Sequence, residues 1–331
     1  MKKYFVPIFF LLLNAFNVYC CDSVTAQEAR GPKKPADQGI SRFSIPPDIG
    51  RDFLFLGQKF PIERPDIRAR IIAQINFLVY DARSVLTEWI LEKSRFNWIY
   101  RETFSKAGLP EDFVWLAPVF VGATRGIRPQ GVGVWMIEKS CSSTDGVEMR
   151  EDSFIDDRLD IQISTKCFAQ RLSSIHKEFG LDWFMTTVAY LITPKTVKEL
   201  IERYGTSNPW DIPLPDNVED LLDRWIALKI IFNHRQFYGL VFNDPAPFIY
   251  DQLSDVRLSK DLSVAEIARI LEVSPRLILE INPKIKLNPG IFPARVDGKQ
   301  LIHSIAAPSG KGAQLLKKLE ALGYVEGARK L

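Results

Sequence analysis

The chain has 331 residues, of which 46% are hydrophobic and 25% are charged, and its formal net charge is +3. This composition is typical of a globular protein, and the length is sufficient for two domains with sizeable cores. The nearly balanced charge excludes the broad basic surface of a nucleic-acid-binding protein, so we expect no nucleic-acid partner.

The first residues are typical of an export signal. Lys2 and Lys3 precede a largely apolar run that continues to Cys21. A membrane-spanning helix would need about 20 apolar residues and different flanking residues. Two positions for the end of this export signal remain as alternatives. Cleavage after Ala26 would make residues 1–26 a signal peptide, and lipid attachment at Cys21 would make it a lipoprotein signal.

Residues 27–60 are rich in proline, glycine and charged residues. This composition is typical of an extended linker or arm. The arm contains an apolar segment, FLFLG, at residues 53–57. We expect that segment to dock on the main body of the protein.

From Pro65 onward, apolar residues recur at helical spacing. A helix that begins at Pro65 is predicted to carry one buried stripe, formed by Ile71, Ile75, Leu78, Ala82, Val85 and Trp89. A second helix is predicted to end near Gly108, and further helices follow with almost no strand signal before residue 250. The predicted regions are N-terminal helices over 61–107, a central domain over 108–242 and a small α/β C-terminal region with its tail over 243–331. The predicted fold class is therefore mainly α.

The cysteines and histidines do not predict a metal site. Cys141 and Cys167 either form a disulfide, which an oxidising compartment permits, or are two buried thiols. The three histidines are scattered, and no group of cysteines and histidines has the spacing of metal ligands. We therefore expect neither a metal nor another cofactor.

Short motifs follow one another in a distinctive order in the central part of the chain. They are Gly108-Leu109-Pro110, Leu116-Ala117-Pro118-Val119, Gly131-Val132-Gly133-Val134-Trp135, Asp156-Asp157-Arg158-Leu159-Asp160, Thr165 and Ala189-Tyr190. In this order they resemble the D-type membrane-bound lytic transglycosylases, bacterial envelope enzymes that cleave peptidoglycan between N-acetylmuramic acid and N-acetylglucosamine. The resemblance runs from about Pro65 to Gly239. It implies a lysozyme-like (SLT) helical fold, a location in the periplasm or cell envelope, and peptidoglycan glycan strands as the partner.

The departures from the family pattern fall on its chemistry. The family's catalytic glutamate corresponds to Phe120. The family's substrate-orienting glutamine corresponds to Met136, and its substrate-orienting asparagine corresponds to Leu191. The glutamate must donate and then accept a proton, which phenylalanine cannot do. Trp135 and Tyr190 keep the family's aromatic positions. With Phe120, they are expected to line a glycan-binding groove, with core packing as the alternative.

The C-terminal region resembles a LysM peptidoglycan-binding module on a small set of residues. The matching residues are Ile267-Ala268, Val273-Ser274 and Ile281-Asn282-Pro283. The strands that flank the helices of such a module are poorly marked in the sequence. The alternative is a small helical hairpin that packs on the main body.

We interpret the chain as a lytic transglycosylase-like protein that has lost catalysis and binds or organises peptidoglycan, with other cell-wall enzymes as further partners. One alternative is an active enzyme with a displaced acid, for which Glu111, Asp112 and Glu138 are the nearest carboxylates. Another is a protein-interaction scaffold of the cell envelope without affinity for sugar. The interpretation predicts that Phe120 is buried at the floor of the former groove, near Tyr190 and Met136.

Overall fold

Helices form most of the protein in the computed structural model. The structure describes residues 45–46, 48–50, 52–123, 131–138, 149–241 and 243–325. The mainly α fold class predicted from the sequence is confirmed. Within the described residues, no helix combines the length and the apolar character that crossing a membrane requires.

The helices of the N-terminal and central parts follow one another closely. They are α1 (Pro65–Asn76), α2 (Arg83–Ala107), α3 (Leu116–Ala123), α4 (Ile161–Phe179), α5 (Trp183–Ile192), α6 (Pro194–Tyr204) and α7 (Asp216–Asn233). Gly108 and Gly180 follow α2 and α4 with φ angles of 71° and 62°. Glycine adopts this left-handed conformation without a steric penalty, so the predicted helix end near Gly108 is confirmed.

The first predicted helix is interrupted, which corrects the prediction of one continuous stripe. A π-helical turn spans Phe77–Asp81, and the next residue, Ala82, has φ −115° and ψ 34°. Such a turn inserts an extra residue and shifts the register of the residues that follow. Ile75 and Leu78 are buried as predicted, whereas Val85 after the interruption is 38% exposed.

The described end of the predicted arm packs on the helices. Strands β1 (Leu54–Phe55) and β2 (Gln58–Lys59) form an antiparallel hairpin. Phe55 and Leu56 are buried, as expected for the FLFLG segment. The Phe55 ring lies 4.8 Å from the ring of Trp225 in α7, in edge-to-face geometry. This end of the arm therefore contributes to the core of the helical part.

The C-terminal region is a small α/β unit with its own apolar core. Its elements are β3 (Tyr250–Arg257), β4 (Leu262–Ser263), α8 (Val264–Leu271), α9 (Pro275–Ile281), β5 (Ile291–Phe292), β6 (Arg295–Val296), β7 (Lys299–Gln300), β8 (Ile302–Pro308) and α10 (Gly312–Ala321). The outer strands β3 and β8 pair antiparallel, and α8 and α9 lie between them along the chain.

Asn282 joins the helices of this unit to its sheet. Its side chain is buried. It donates from Nδ2 to the Ala306 carbonyl at 2.9 Å and accepts the Ala306 amide N–H at 2.8 Å. Because both bonds go to the backbone of β8, the end of α9 is held in one register against that strand.

The loop before α4 joins the helical part to the C-terminal unit. The Asp156 amide donates to the Lys284 carbonyl at 2.8 Å. Ile155 forms an isolated β-bridge with Ile285 and is buried in the core of the C-terminal unit. A second junction lies on α2, where Arg95 forms an ion pair of 2.5 Å with Glu280 of α9.

Asp160 has two roles at this junction. As the N-cap of α4, it accepts the amide N–H groups of Gln162 and Ile163 at 3.0 and 3.1 Å. Its other carboxylate oxygen accepts a hydrogen bond from Lys284 Nζ at 2.9 Å, and the Lys284 side chain is only 4% exposed. One carboxylate therefore caps a helix and neutralises a buried cation.

Asp160→Asn should separate these roles. The asparagine keeps a cap acceptor but removes the carboxylate that is hydrogen-bonded to Lys284, which should lower the free energy of unfolding by about 3 kcal/mol. Asp160→Ala should lower it by about a further 1 kcal/mol, because the cap is also lost. Urea denaturation followed by circular dichroism measures both. The control is Asp160→Asn combined with Lys284→Met, which should recover most of the loss, and an asparagine variant as stable as the parent would contradict the prediction.

Candidate functional site

Phe120 lies inside an aromatic cluster in the helical part. Its side chain is fully buried in α3. Its ring centroid is 6.0 Å from those of Trp135, Phe168 and Tyr190, each in edge-to-face geometry. The predicted burial of Phe120 next to Tyr190 is confirmed. Phe120 is therefore a packed hydrocarbon ring in the core of the helical part, and its correspondence to the family's acid stays a prediction.

Trp135 is held from three sides. Its ring stacks on Phe168 at a centroid distance of 4.1 Å and an interplanar angle of 11°. Its indole Nε1–H donates to Thr165 Oγ1 at 2.8 Å. Its carbonyl accepts the hydroxyl proton of Tyr190 at 2.7 Å. The polar groups of both aromatic residues are thus used within the protein core, where Trp135 and Tyr190 are also buried.

The bend that carries Trp135 depends on glycine. Gly133 has φ 75°, and a Cβ atom there would overlap the Arg158 carbonyl oxygen. A Cβ atom on Gly131 would lie 2.5 Å from the carbonyl oxygen of Met136. Backbone atoms cannot move away as a flexible side chain can. The Gly-x-Gly spacing found in the sequence is therefore a steric requirement of this bend.

Met136 and Leu191, the other two residues predicted to correspond to polar positions of the family, are also buried. Their side chains are 7% and 5% exposed. Met136 follows Trp135 directly, and Leu191 follows Tyr190, so both belong to the same part of the core. Neither can donate or accept a hydrogen bond of the kind that orients an amide of a sugar.

Three members of the cluster were not among the predicted site residues. Phe168 is one α4 turn after Thr165, and Tyr100 and Phe104 in α2 each lie 5.6 Å from Trp135. The i, i+3 spacing from Thr165 places Phe168 on the same face of the helix, which was a usable signal.

Two of the carboxylates considered as displaced acids make interactions other than contacts with the aromatic cluster. Glu111 is exposed and forms an ion pair with Arg101. Asp112 accepts the Leu56 amide at 2.6 Å and pairs with Lys229. Glu138 is half-buried just after the bend, and it also has an interaction partner. Glu111 and Asp112 therefore serve an ion pair and the attachment of the arm.

The structure describes only some of the residues on which the cysteine and metal predictions depend. Cys167 is fully buried in α4 and is part of a disulfide. Cys141, its predicted partner, and Cys21, the candidate lipidation site, lie outside the described residues. Among the residues that the structure describes, no group of histidine, cysteine, aspartate and glutamate side chains could hold a metal ion.

An open groove of about 610 Å³ lies between α2 and α4. Its lining includes Trp98, Gln162 and Gln170, together with exposed lysines. The indole Nε1–H of Trp98 donates to the Phe248 carbonyl at 3.3 Å. A half-buried indole, side-chain amides and ammonium groups are therefore accessible here, in contrast to the buried cluster around Phe120.

Comparison with known proteins supports a lytic transglycosylase-like relationship. The chain is 24% identical over 250 residues to "Membrane-bound lytic murein transglycosylase D" of Escherichia coli (strain K12), and equally to the protein of that name from Escherichia coli O6:H1. The match covers 73% of this chain and 54% of each relative, so the chain spans about half the length of the curated relatives it matches. No family model matches the chain.

Substitutions at Phe120 should reveal how strictly the cluster excludes polar groups. Phe120→Leu should lower the free energy of unfolding by about 1 kcal/mol, and Phe120→Gln by roughly 3–5 kcal/mol, because an amide is buried among rings. Phe120→Glu should match the glutamine variant at acidic pH. Burial raises the pKa of the introduced carboxyl, so the unfolded state releases its proton first and stability falls as pH rises above about 4.3.

Thermal unfolding at several pH values between 4 and 8 tests this expectation, with Phe120→Gln as the matched neutral control. If the glutamate and glutamine variants had the same pH dependence, the introduced carboxyl would be solvated. Phe120 would then not lie in a dry core.

Proposed function

We propose that this protein binds peptidoglycan glycan strands without cleaving them. The observation that carries the proposal is the complete burial of Phe120 within an aromatic cluster, at the position of the acid in the resembling family. The similarity to murein transglycosylase D supports peptidoglycan as the partner. We infer retention of the fold together with loss of the reaction.

The reaction would need a carboxyl group that exchanges a proton with the glycosidic oxygen. A suitable group commonly has a raised pKa. Burial raises the pKa of Glu92, of Asp157 and of Asp223. Glu92 lies near Arg95 and Glu280 at the junction with the C-terminal unit, and Asp157 accepts the Arg150 amide in the loop before α4. Asp223 of α7 forms an ion pair with Arg70 of α1. None of the three belongs to the aromatic cluster, which supports loss of catalysis rather than a displaced acid.

In this proposal, Phe120, Trp135 and Tyr190 form the floor beneath the strand-binding surface and shape it from below. Their polar groups and ring faces are already used within the core, so direct contact with sugar would come from neighbouring groups. The open groove between α2 and α4 offers such groups, because Trp98 can pack against a sugar ring and the side-chain amides can bind hydroxyls.

The C-terminal unit is proposed as a second contact with the wall. The helices α8 and α9 lie between two antiparallel strands, and Asn282 of the Asn-Pro motif fixes that arrangement. This order supports the resemblance to a LysM module more than the alternative of a helical hairpin alone. We propose a location in the periplasm or cell envelope, with lipid attachment at Cys21 as one route to a membrane and other cell-wall enzymes as further partners.

Sedimentation with purified sacculi tests binding and cleavage together. We expect the protein to pellet with sacculi and to release no anhydro-muropeptides, whereas an active lytic transglycosylase releases them under the same conditions. Phe120→Glu alone should not restore release. An acid contributes about 10²–10⁴-fold only when its proton is aimed at the leaving oxygen, and misplacing substrate by ~1 Å can itself cost roughly 10²-fold.

The matched variants are Phe120→Gln and the triple variant Phe120→Glu, Met136→Gln, Leu191→Asn. Circular dichroism establishes that each is folded before its products are analysed. Release of anhydro-muropeptides by the unaltered protein would establish the active alternative. Failure to pellet with sacculi would favour the scaffold alternative.

A further inference from the structure

A second cavity, of about 570 Å³, lies between the helical part and the C-terminal unit. Arg150, Asp157 and Ile163 line it from the helical part, and Ser254 and Asp255 line it from β3. None of the aromatic cluster residues lines it. Its volume is typical of sites for small ligands, which occur preferentially between domains.

The guanidinium group of Arg150 has unused hydrogen-bond donors. Its Nε and Nη2 atoms are buried, and no described residue accepts a hydrogen bond from either of them. The Asp152 carboxylate lies 3.1 Å from Nε, which is close enough for an ion pair but lacks hydrogen-bonding geometry. Buried donors without acceptors are rare in native proteins, and a missing ligand is one explanation for them.

The opposite wall carries an irregular strand. The pairing of β3 with β8 shifts register between Leu253 and Val256, so Ser254 and Asp255 form a bulge. Asp255 has φ 56°, a left-handed conformation that is uncommon for residues with a side chain. Both bulge residues are exposed. Bulges of this kind redirect side chains and are enriched next to functional sites.

The remaining ionisable groups of the cavity already have partners. Lys284 Nζ donates to Asp160 at 2.9 Å, and His303 Nε2 donates to the Pro293 carbonyl at 2.7 Å. Asp157 accepts the Arg150 amide N–H at 2.8 Å. The groups that can still bind a ligand are therefore the guanidinium group of Arg150 on one wall and the side chains of Asp255 and Ser254 on the other.

The apolar residues of the cavity indicate the chemistry of the middle of a ligand, between its two polar ends. It consists of Met149, Ile155, Ile163, Leu301 and Ile302. Among the described residues, no phenylalanine, tyrosine or tryptophan lines the cavity, so these residues offer a sugar ring no aromatic face on which to pack. Small aliphatic side chains suit this lining better than a glycan does.

We propose that this cavity binds a short peptide, with the peptide's carboxylate on Arg150 and its amino or amide N–H groups on Asp255 and Ser254. The inference rests on the proposed function, because in a peptidoglycan-binding protein the source of such a peptide is the stem attached to the glycan strand. Arg150 is suited to the carboxylate because a guanidinium can donate two parallel hydrogen bonds to it.

Calorimetric titration with the dipeptide D-alanyl-D-alanine tests the cavity directly. We expect saturable binding to the full chain, and weaker binding of acetate and of D-alaninamide, which each carry only one of the two charged ends. Arg150→Met should raise the dissociation constant at least about 10-fold, since hydrogen bonds to charged groups are among the stronger ones. Asp255→Asn should weaken binding of the dipeptide but leave binding of acetate unchanged.

The matched control is Arg203→Met, which removes an exposed arginine of α6 and should leave dipeptide binding unchanged. Circular dichroism establishes that Arg150→Met is folded, because this substitution also removes the ion pair with Asp152. If the parent protein did not bind the dipeptide, or if Arg150→Met and Asp255→Asn both bound it as the parent does, the proposal would be overturned.

A binding experiment with sacculi distinguishes failure of this inference from failure of the proposed function. Intact sacculi are compared with glycan strands from which an amidase has removed the peptides. We expect Arg150→Met to weaken binding only to the intact material. Equal binding of parent and variant to both materials would overturn the peptide site and leave the proposed function standing. Dipeptide binding without affinity for either material would support the site and overturn the proposed function.

Discussion

The indole of Trp135 holds together segments that are far apart in the sequence. The ring stacks on Phe168 of α4, its Nε1–H donates to Thr165 of the same helix, and the backbone carbonyl of Trp135 accepts the hydroxyl proton of Tyr190 in α5. Phe120 fills the remaining edge from α3. Together these contacts make Trp135 the centre of a close-packed junction of the helical part.

This packing disfavours polar side chains at Phe120, Met136 and Leu191 alike. A carboxyl or amide buried at Phe120, Met136 or Leu191 would need hydrogen-bond partners. Thr165 already accepts from Trp135 and Tyr190 already donates to the backbone. The buried Tyr100 hydroxyl, whose ring contacts Trp135, itself has no hydrogen-bond partner among the described residues. Replacing one of the three positions by a polar residue would therefore leave an unsatisfied group in the core. Stability favours the apolar set as a whole.

Much of the helical framework could be predicted from local sequence signals. Pro65, Gly108 and Gly180 mark helix ends because fixed φ angles and left-handed conformations are local properties. The π-helical turn at Phe77–Asp81 could not be predicted in this way, since apolar spacing continues through it and only tertiary packing decides the register. The burial of Phe120 followed from the resemblance. The ion pair between Asp160 and Lys284 could not be predicted from the sequence, because Lys284 lies in another part of the chain.

The aromatic cluster also constrains how the chain can fold. Its members come from α2, α3, the glycine bend, α4 and α5, so it is complete only when the segment from Phe104 to Tyr190 has folded back on itself. Contacts so distant in sequence form after local helices and slow the search for the native state. A growing chain that has not yet reached Tyr190 would present several unpaired aromatic faces. The helical part is therefore expected to fold cooperatively and late during synthesis, with those faces exposed to association until α5 is in place.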